Sequence, residues 1–436
     1  MALAMTERPI GFRPWEISAM VNTEVVAQHA EDAAFLWFSR DRAVRAPHYY
    51  LKDLARLDER VEANVDGLRV AGVVGWNFAS EALKQGGSGE LFAAAVLAFE
   101  SKEPTRVAEI LEAISKDPSL ARPAISALGW MRFEDAKPLL GELVNSSRPD
   151  VRRVAIGGYA VHRVSPGDSL REALADADAS LRARAFQAAA ELGCVELAYA
   201  IARYIGTNDP ASSFWAAWSA ARLGLRGHDV TDVVRSAAES SAPYADSAVQ
   251  ILLRCLRLAE CHEWLSAILV KSKRQRVGVQ GIGIVGDPAR ASELIGYMRI
   301  EALSRVAGEA FSMITGADLK YLDLDRPKPE SFEVGPTDNP EDADVAMDED
   351  EDLPWPDPNR VRKWWDKHEQ DFQPGIRYLR GNPIERANLI DALKNGYQRQ
   401  RAAAALELAL LQPSEPLFEV CAPGRRQQEA LAQWNS

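Results

Sequence analysis

Strand signals are the first thing missing from this chain of 436 residues. It has no series of alternating Val, Ile and Thr segments joined by Asn-Gly or Asp-Gly turns, so an all-β architecture is excluded and an all-α one is expected. Cysteine is scarce. The four residues at 194, 255, 261 and 421 contain no Cys-x-x-Cys pair, so neither a disulfide framework nor a zinc site follows from them. Cys194 and Cys255 read as core residues of helices. Long apolar runs are absent too: Leu91–Phe99 is the longest without a charge and is too short to span a bilayer. Met1–Met20 carries Pro9, Pro14 and charges where a signal peptide would have an apolar core. A soluble, reduced, cytoplasmic protein is expected, with no membrane partner.

A basic field is also missing. The formal net charge is −12, and residues 323–358 supply all of it, with 14 Asp and Glu against Arg326 and Lys328. The rest of the chain is neutral, which argues against bulk binding to phosphate backbones, and no nucleic-acid partner is expected.

Three short motifs invite catalytic or cofactor readings. Gly281-Ile282-Gly283-Ile284-Val285-Gly286 spells a dinucleotide pattern, but the periodicity ends a helix at Gly286 where that chemistry needs a strand before and a helix after. Gly167-Asp168-Ser169-Leu170 matches a serine-esterase tetrad without the downstream Asp-x-x-His, and Ser169 with Glu172 reads instead as a capping box. Cys261-His262 with Cys255 lacks a further metal ligand. The six histidines are scattered, with no second residue beside any of them to orient a base. No catalytic residue, cofactor or metal is assigned, and the chain is expected not to be an enzyme.

What is present is repetition. Glycines close alanine- and leucine-rich segments at 129, 193, 224, 286 and 316, with gaps of 64, 31, 62 and 30 residues. Two gaps are double, so about eight copies of a unit of roughly 31 residues run from Leu91 to Gly316. That is the length of two short helices and their turns. Such units cannot bury an apolar face alone and must stack. Asp117-Pro118, Asp209-Pro210 and Asp287-Pro288 are the expected turns, Asp capping and Pro opening the next helix. Val151-Arg152-Arg153 and Leu181-Arg182-Ala183-Arg184 resemble the start of a HEAT-type first helix, which implies an α-solenoid that binds proteins.

Around the repeats the reading is an N-terminal helical region over 1–85, the solenoid over 90–320, an acidic disordered linker over 321–358, and a C-terminal cap and tail over 359–436. The linker carries seven prolines and the run Asp348–Asp352, with no apolar face to pack. In the first region Leu51, Leu54, Leu57, Val61, Val65 and Leu68 predict an amphipathic helix running to about Trp76. The last region predicts a hairpin closing the open end of the array, and it holds the candidate protein-binding residues. These are Trp364 and Trp365, and the arginines Arg377, Arg380, Arg399 and Arg401. Trp and Arg anchor interfaces; equally, they can seal the hairpin to the solenoid and pair with its acids.

Both ends carry a resemblance. Gln28–Trp37, Leu57–Arg60 and Asp66–Gly72, together with Arg377-Tyr378-Leu379 and Gln398–Leu408, look like the terminal signatures of a bacterial HEAT-repeat family often encoded beside type VI secretion components. The resemblance implies a non-enzymatic scaffold or adaptor holding a secretion effector or its loading partner. An immunity protein that blocks a cognate toxin is the alternative, with a HEAT-like lyase a remote third.

Overall fold

The computed structural model describes residues 21–330, 332 and 348–434. The expected loose lead over 1–20 and the middle of the acidic segment lie outside them. The fold is all-α and solenoid-like: the described residues form 22 helices that pack neighbour on neighbour, with two pairs of two-residue strands. They divide into two compact units. One runs to Asp41 and from Arg56 to Leu143; the other takes Arg42 to Ala55 and everything from Val144 onward.

The first unit contains most of α1 (Thr23–Ala43) and α2 (Leu51–Val70), then α3 (Val73–Gln85), α4 (Ser88–Ser101), α5 (Pro104–Lys116), α6 (Ala121–Trp130) and α7 (Phe133–Leu143). The predicted long helix breaks at Gly72, whose φ of 59° no L side chain adopts easily, so α2 and α3 are separate. Helix α4 lies at the centre, with its residues from Leu91 to Phe99 all buried. It packs on α3, α5, α6 and α7. Gly89 is a close contact: a Cβ there would lie 2.2 Å from the Ala34 carbonyl oxygen.

The second unit continues the repeats. Its first helices are α8 (Pro149–Val161), α10 (Ala179–Leu192), α12 (Pro210–Arg222), α14 (Ala245–Cys255), α16 (Gln275–Val285) and α18 (Glu301–Thr315). Its second helices are α9 (Asp168–Leu174), α11 (Ala198–Ala202), α13 (His228–Ala238), α15 (Leu258–Leu269) and α17 (Ala291–Tyr297). The first helices touch in succession and form a row. Each second helix packs on the first helix of the following repeat: α9 on α10, α11 on α12, α13 on α14, α15 on α16, α17 on α18. Arginines staple successive turns. Arg152 donates to the carbonyls of Ser146 and Ser147 and pairs with Asp176, and Arg182 repeats the pattern on Asp176 and Ala177. Asp117 and Asp287 cap as expected; Asp209 and Ser169 do not, Gly167 being the residue before α9.

The acidic segment departs from expectation. It is an insertion in the turn of the last repeat, between α18 and α19 (Pro358–His368), which packs beside α17. Strand β1 (Asp325–Arg326) pairs antiparallel with β2 (Trp355–Pro356) and closes its base. Asp350, Leu353 and Trp355 are buried. The expectation of an unpacked linker therefore fails at both described ends, because the repeat supplies partners that composition cannot show.

Beyond α19 come β3 (Tyr378–Leu379), β4 (Asn382–Pro383), α20 (Arg386–Asn395), α21 (Gln398–Leu411) and α22 (Gly424–Gln433). This part was expected to close the end of the array. Instead it runs back along the row, from the end of α18 to the end of α8. The last carbonyls of a helix have no partner within it and carry the negative end of its dipole. Here the C-terminal segment supplies the donors. Arg380 N and Gly381 N bond the carbonyls of Met313 and Ile314, Tyr378 N that of Gly286, and Leu417 N that of Glu191. The repeat glycines let this backbone in: a Cβ would lie 2.7 Å from Ser414 O at Gly193, 2.3 Å from Tyr378 O at Gly286 and 2.6 Å from Arg380 O at Gly316.

Candidate functional site

The candidate interface residues of the C-terminal region make contacts within the second unit; Arg401 and Trp365 are buried and the other four are half-buried. Arg401 is fully buried; Nε donates to Leu393 O at 2.6 Å, and its two other nitrogens meet the side-chain oxygens of Gln398 and Gln427. No carboxylate meets it in these bonds, and burial lowers its pKa to about 10. Arg377 bonds Val285 O at 2.9 Å and Glu407 at 2.6 Å, and the same carboxylate lies 3.0 Å from Nε of buried Arg254. Arg399 grips both oxygens of Glu309 at 2.8 Å and reaches Arg45 O. Arg380, at φ 53°, pairs with Asp391 at 3.2 Å. Trp365 is buried and Trp364 half-buried, both edge-on to Phe311 at 5.8 Å; Trp364 also stacks on His368. These six residues bind the chain to itself.

Two more arginines hold an extended stretch in the same way. Arg163 Nε donates to Leu417 O and its guanidinium pairs with Glu419 at 2.9 Å. Arg222, fully buried, donates to the carbonyls of Pro413 and Glu415. Burial, with Arg163 nearby, lowers the pKa of Arg222 to about 10.

The catalytic motifs stay structural. The dinucleotide-like glycines lie within α16 and at its end, where Gly283 packs on Ala310 and Gly286 takes the left-handed cap. Burial raises the thiol pKa of Cys255, and that of Cys261 to about 11, which leaves both poor nucleophiles. The histidine reading needs correction: His48 Nδ1 lies 3.5 Å from Asp352 and His368 Nδ1 2.7 Å from Trp364 O. His262 Nε2 lies 2.9 Å from Asp287 Oδ2, and His29 Nδ1 lies 2.9 Å from Asn64. The other Asp287 oxygen accepts from the N–H groups of Ala289 and Gly375, so that carboxylate serves a turn and a docked loop.

The first unit offers an open surface at corresponding helix ends. A cleft of about 430 Å³ is lined by Glu62, Arg69, Glu100, Lys102, Trp130, Met131, Arg132 and Asp135. Arg69, in the last turn of α2, reaches Glu62 at 2.6 Å and both oxygens of Glu100 at 2.7 and 2.9 Å. Burial works against that cation, but the two carboxylates outweigh it and raise the guanidinium above its ordinary pKa. Trp130 Nε1 donates to Glu62 at 2.5 Å, its ring sits edge-on to Phe92, and the Arg40 guanidinium lies 5.7 Å over it. Lys102 closes α4 in the left-handed conformation, φ 56°. At the ends of α10, α16 and α18 that position is glycine. An L side chain there costs roughly 1–2 kcal/mol. The strained residue therefore puts a long cation on the cleft.

Sequence reasoning passed over this cleft, because Glu62, Glu100 and Trp130 come from three helices. Its one local trace is Lys102 where a helix-ending glycine is the low-energy choice. No protein-family model, curated protein or solved structure matches the chain. No group of three or more potential metal ligands occurs, and no helix is long and apolar enough to cross a membrane, among the described residues.

Proposed function

We propose that this chain is a protein-binding scaffold whose partner engages the cleft around Arg69 and Trp130. The observation that carries the reading is Lys102. A strained, charged residue stands on an open cleft at a position where α10, α16 and α18 end in glycine, and residues kept in costly conformations concentrate where a protein binds or reacts. The cleft pairs Trp and Arg, the side chains that most often anchor interfaces, with charges of both signs. This favours a partner segment of mixed charge over a ligand of one sign. The resemblance at the two ends supports placing the scaffold beside type VI secretion, as an adaptor for an effector or its loading partner.

The test is capture from the native host, comparing the full chain with the Lys102→Glu/Arg132→Glu double variant. Both positions are exposed, so folding should be unaffected. The expected result is a secretion component retained by the parent chain and lost by the variant. Equal retention by both would remove the cleft as the binding surface. A retained protein that is itself a toxin, and is blocked by this chain, would replace the adaptor with an immunity role.

A further inference from the structure

The acidic insertion ends on a built receptor in the second unit. Asp348 meets Arg305 through two parallel bonds of 2.9 and 2.7 Å, and Asp350 meets Arg276 through two of 2.6 Å. The two arginines stand near the starts of neighbouring first helices, α18 and α16, so their spacing is set by the repeat and not by the insertion. Glu349 between the acids faces solvent and only brushes Arg276 at 3.3 Å. The fit therefore reads alternate carboxylates. Asp350 N donates to Asp348 Oδ1, which fixes the bend of the segment. The Arg305 guanidinium also lies 4.6 Å over the Trp355 ring. A guanidinium fork matches a carboxylate in plane and in spacing, which is why paired bidentate contacts give specificity as well as strength.

We infer that Arg276 and Arg305 form a docking site for an acidic protein segment with two carboxylates two residues apart, which Asp348 and Asp350 occupy from within the chain. This rests on the reading of the chain as a protein-binding scaffold and adds a second surface with a defined chemistry. Asp348 and Asp350 show what the site accepts. A segment tethered by a short loop acts at an effective concentration in the millimolar range. An external segment must therefore compete with it, or arrive on a partner already held elsewhere.

The experiment uses the full chain and a labelled, end-blocked peptide of the sequence Asp348–Trp355. Binding is measured by fluorescence anisotropy to the parent chain, to Asp348→Asn/Asp350→Asn, and to that variant carrying Arg276→Gln/Arg305→Gln. The emptied variant should bind at least about tenfold tighter than the parent, by relief of the tethered competitor. The added arginine changes should remove that gain, and a peptide with both aspartates changed to asparagine should show none. Equal affinity for parent and emptied variant overturns the proposal, as does binding that survives loss of both arginines. Where the double variant fails to fold by circular dichroism, Asp348→Asn alone must give a smaller gain of the same sign; no gain overturns the proposal. Because the probe is a peptide, its failure removes this site alone, and the cleft stands or falls by the capture experiment.

Discussion

Helix C-termini in the two units meet different fates. In the larger unit the ends of α8, α10, α12, α14, α16 and α18 are covered by the chain's own C-terminal segment, with glycine where backbone meets backbone. In the smaller unit the ends of α2, α4 and α6 line an open cleft, and the residue closing α4 is a lysine. The same local need, to turn the chain through a left-handed residue after a helix, is met at Gly193, Gly286 and Gly316 by glycine, where backbone packs on backbone, and after α8 by Arg163, whose side chain holds Leu417 O. At the open cleft Gly72 serves after α2 and Lys102 after α4. Packing explains the covered positions. Lys102 is exposed, and the proposed interface would give its cation a use.

The sharpest way to break the covered row is to remove Glu407, which is buried between Arg254 and Arg377. Glu407→Ala leaves a fully buried guanidinium without its carboxylate, and the expected loss is about 3–5 kcal/mol in denaturant unfolding. A loss below about 1 kcal/mol would mean that the C-terminal segment contributes little to the second unit.

A smaller effect separates docking from turn geometry. Gly286→Ala and Gly206→Ala both force alanine to positive φ, at 77° and 78°. Only the first also drives a Cβ against Tyr378 O; nothing lies within 4 Å of the second. Gly206→Ala should cost about 1–2 kcal/mol, the left-handed penalty alone, and Gly286→Ala clearly more. Similar melting shifts for the two would show that the glycines serve only the turn.

At the open end, Lys102→Gly should hold stability level or raise it by up to about 1 kcal/mol, since the strain is released. Partner capture should fall at the same time. A destabilised Lys102→Gly with capture intact would make the lysine structural and the comparison empty.

The smallest effect belongs to the acidic insertion. Burial tends to raise the Asp348 pKa, but Arg305 and the Asp350 N–H outweigh it and hold the carboxyl below its ordinary value. A depressed carboxyl adds stability above its unfolded pKa of about 3.9 and loses it as pH falls through the lower folded value. The difference in melting temperature between the parent chain and Asp348→Asn should therefore be steady near neutrality and shrink below about pH 4. A difference that grows on acidification would contradict the ion pair.

The helical repeat was legible in the sequence because its causes are local: alanine-rich stripes, Asp-Pro turns and glycines at a steady interval. Those glycines announced helix ends but not what rests on them, since Ser414 and Tyr378 are remote in the chain. The arginine cluster was visible, and so was the alternative that it pairs with the chain's own acids; which partners it takes was not. Arg399 finds Glu309 ninety residues away and Arg401 finds Gln427 across a turn, so the cluster is half-buried or, at Arg401, wholly buried. The acidic segment misled for the same reason. Its composition has no apolar face, and two arginines on separate helices supply what it lacks.

The backward run of the C-terminal segment also governs how the chain folds as it is made. Arg399 donates to the Arg45 carbonyl across 354 residues of sequence, and Gln398 reaches Val44 across the same span. Contacts so remote slow folding, because the intervening chain must be closed before they form. Synthesis proceeds N-terminus first at about 5–20 residues per second. The first unit can therefore close early. The larger unit holds its row of helix ends bare until residues 378–417 have left the ribosome, and in that interval the row is open to chaperones and proteases.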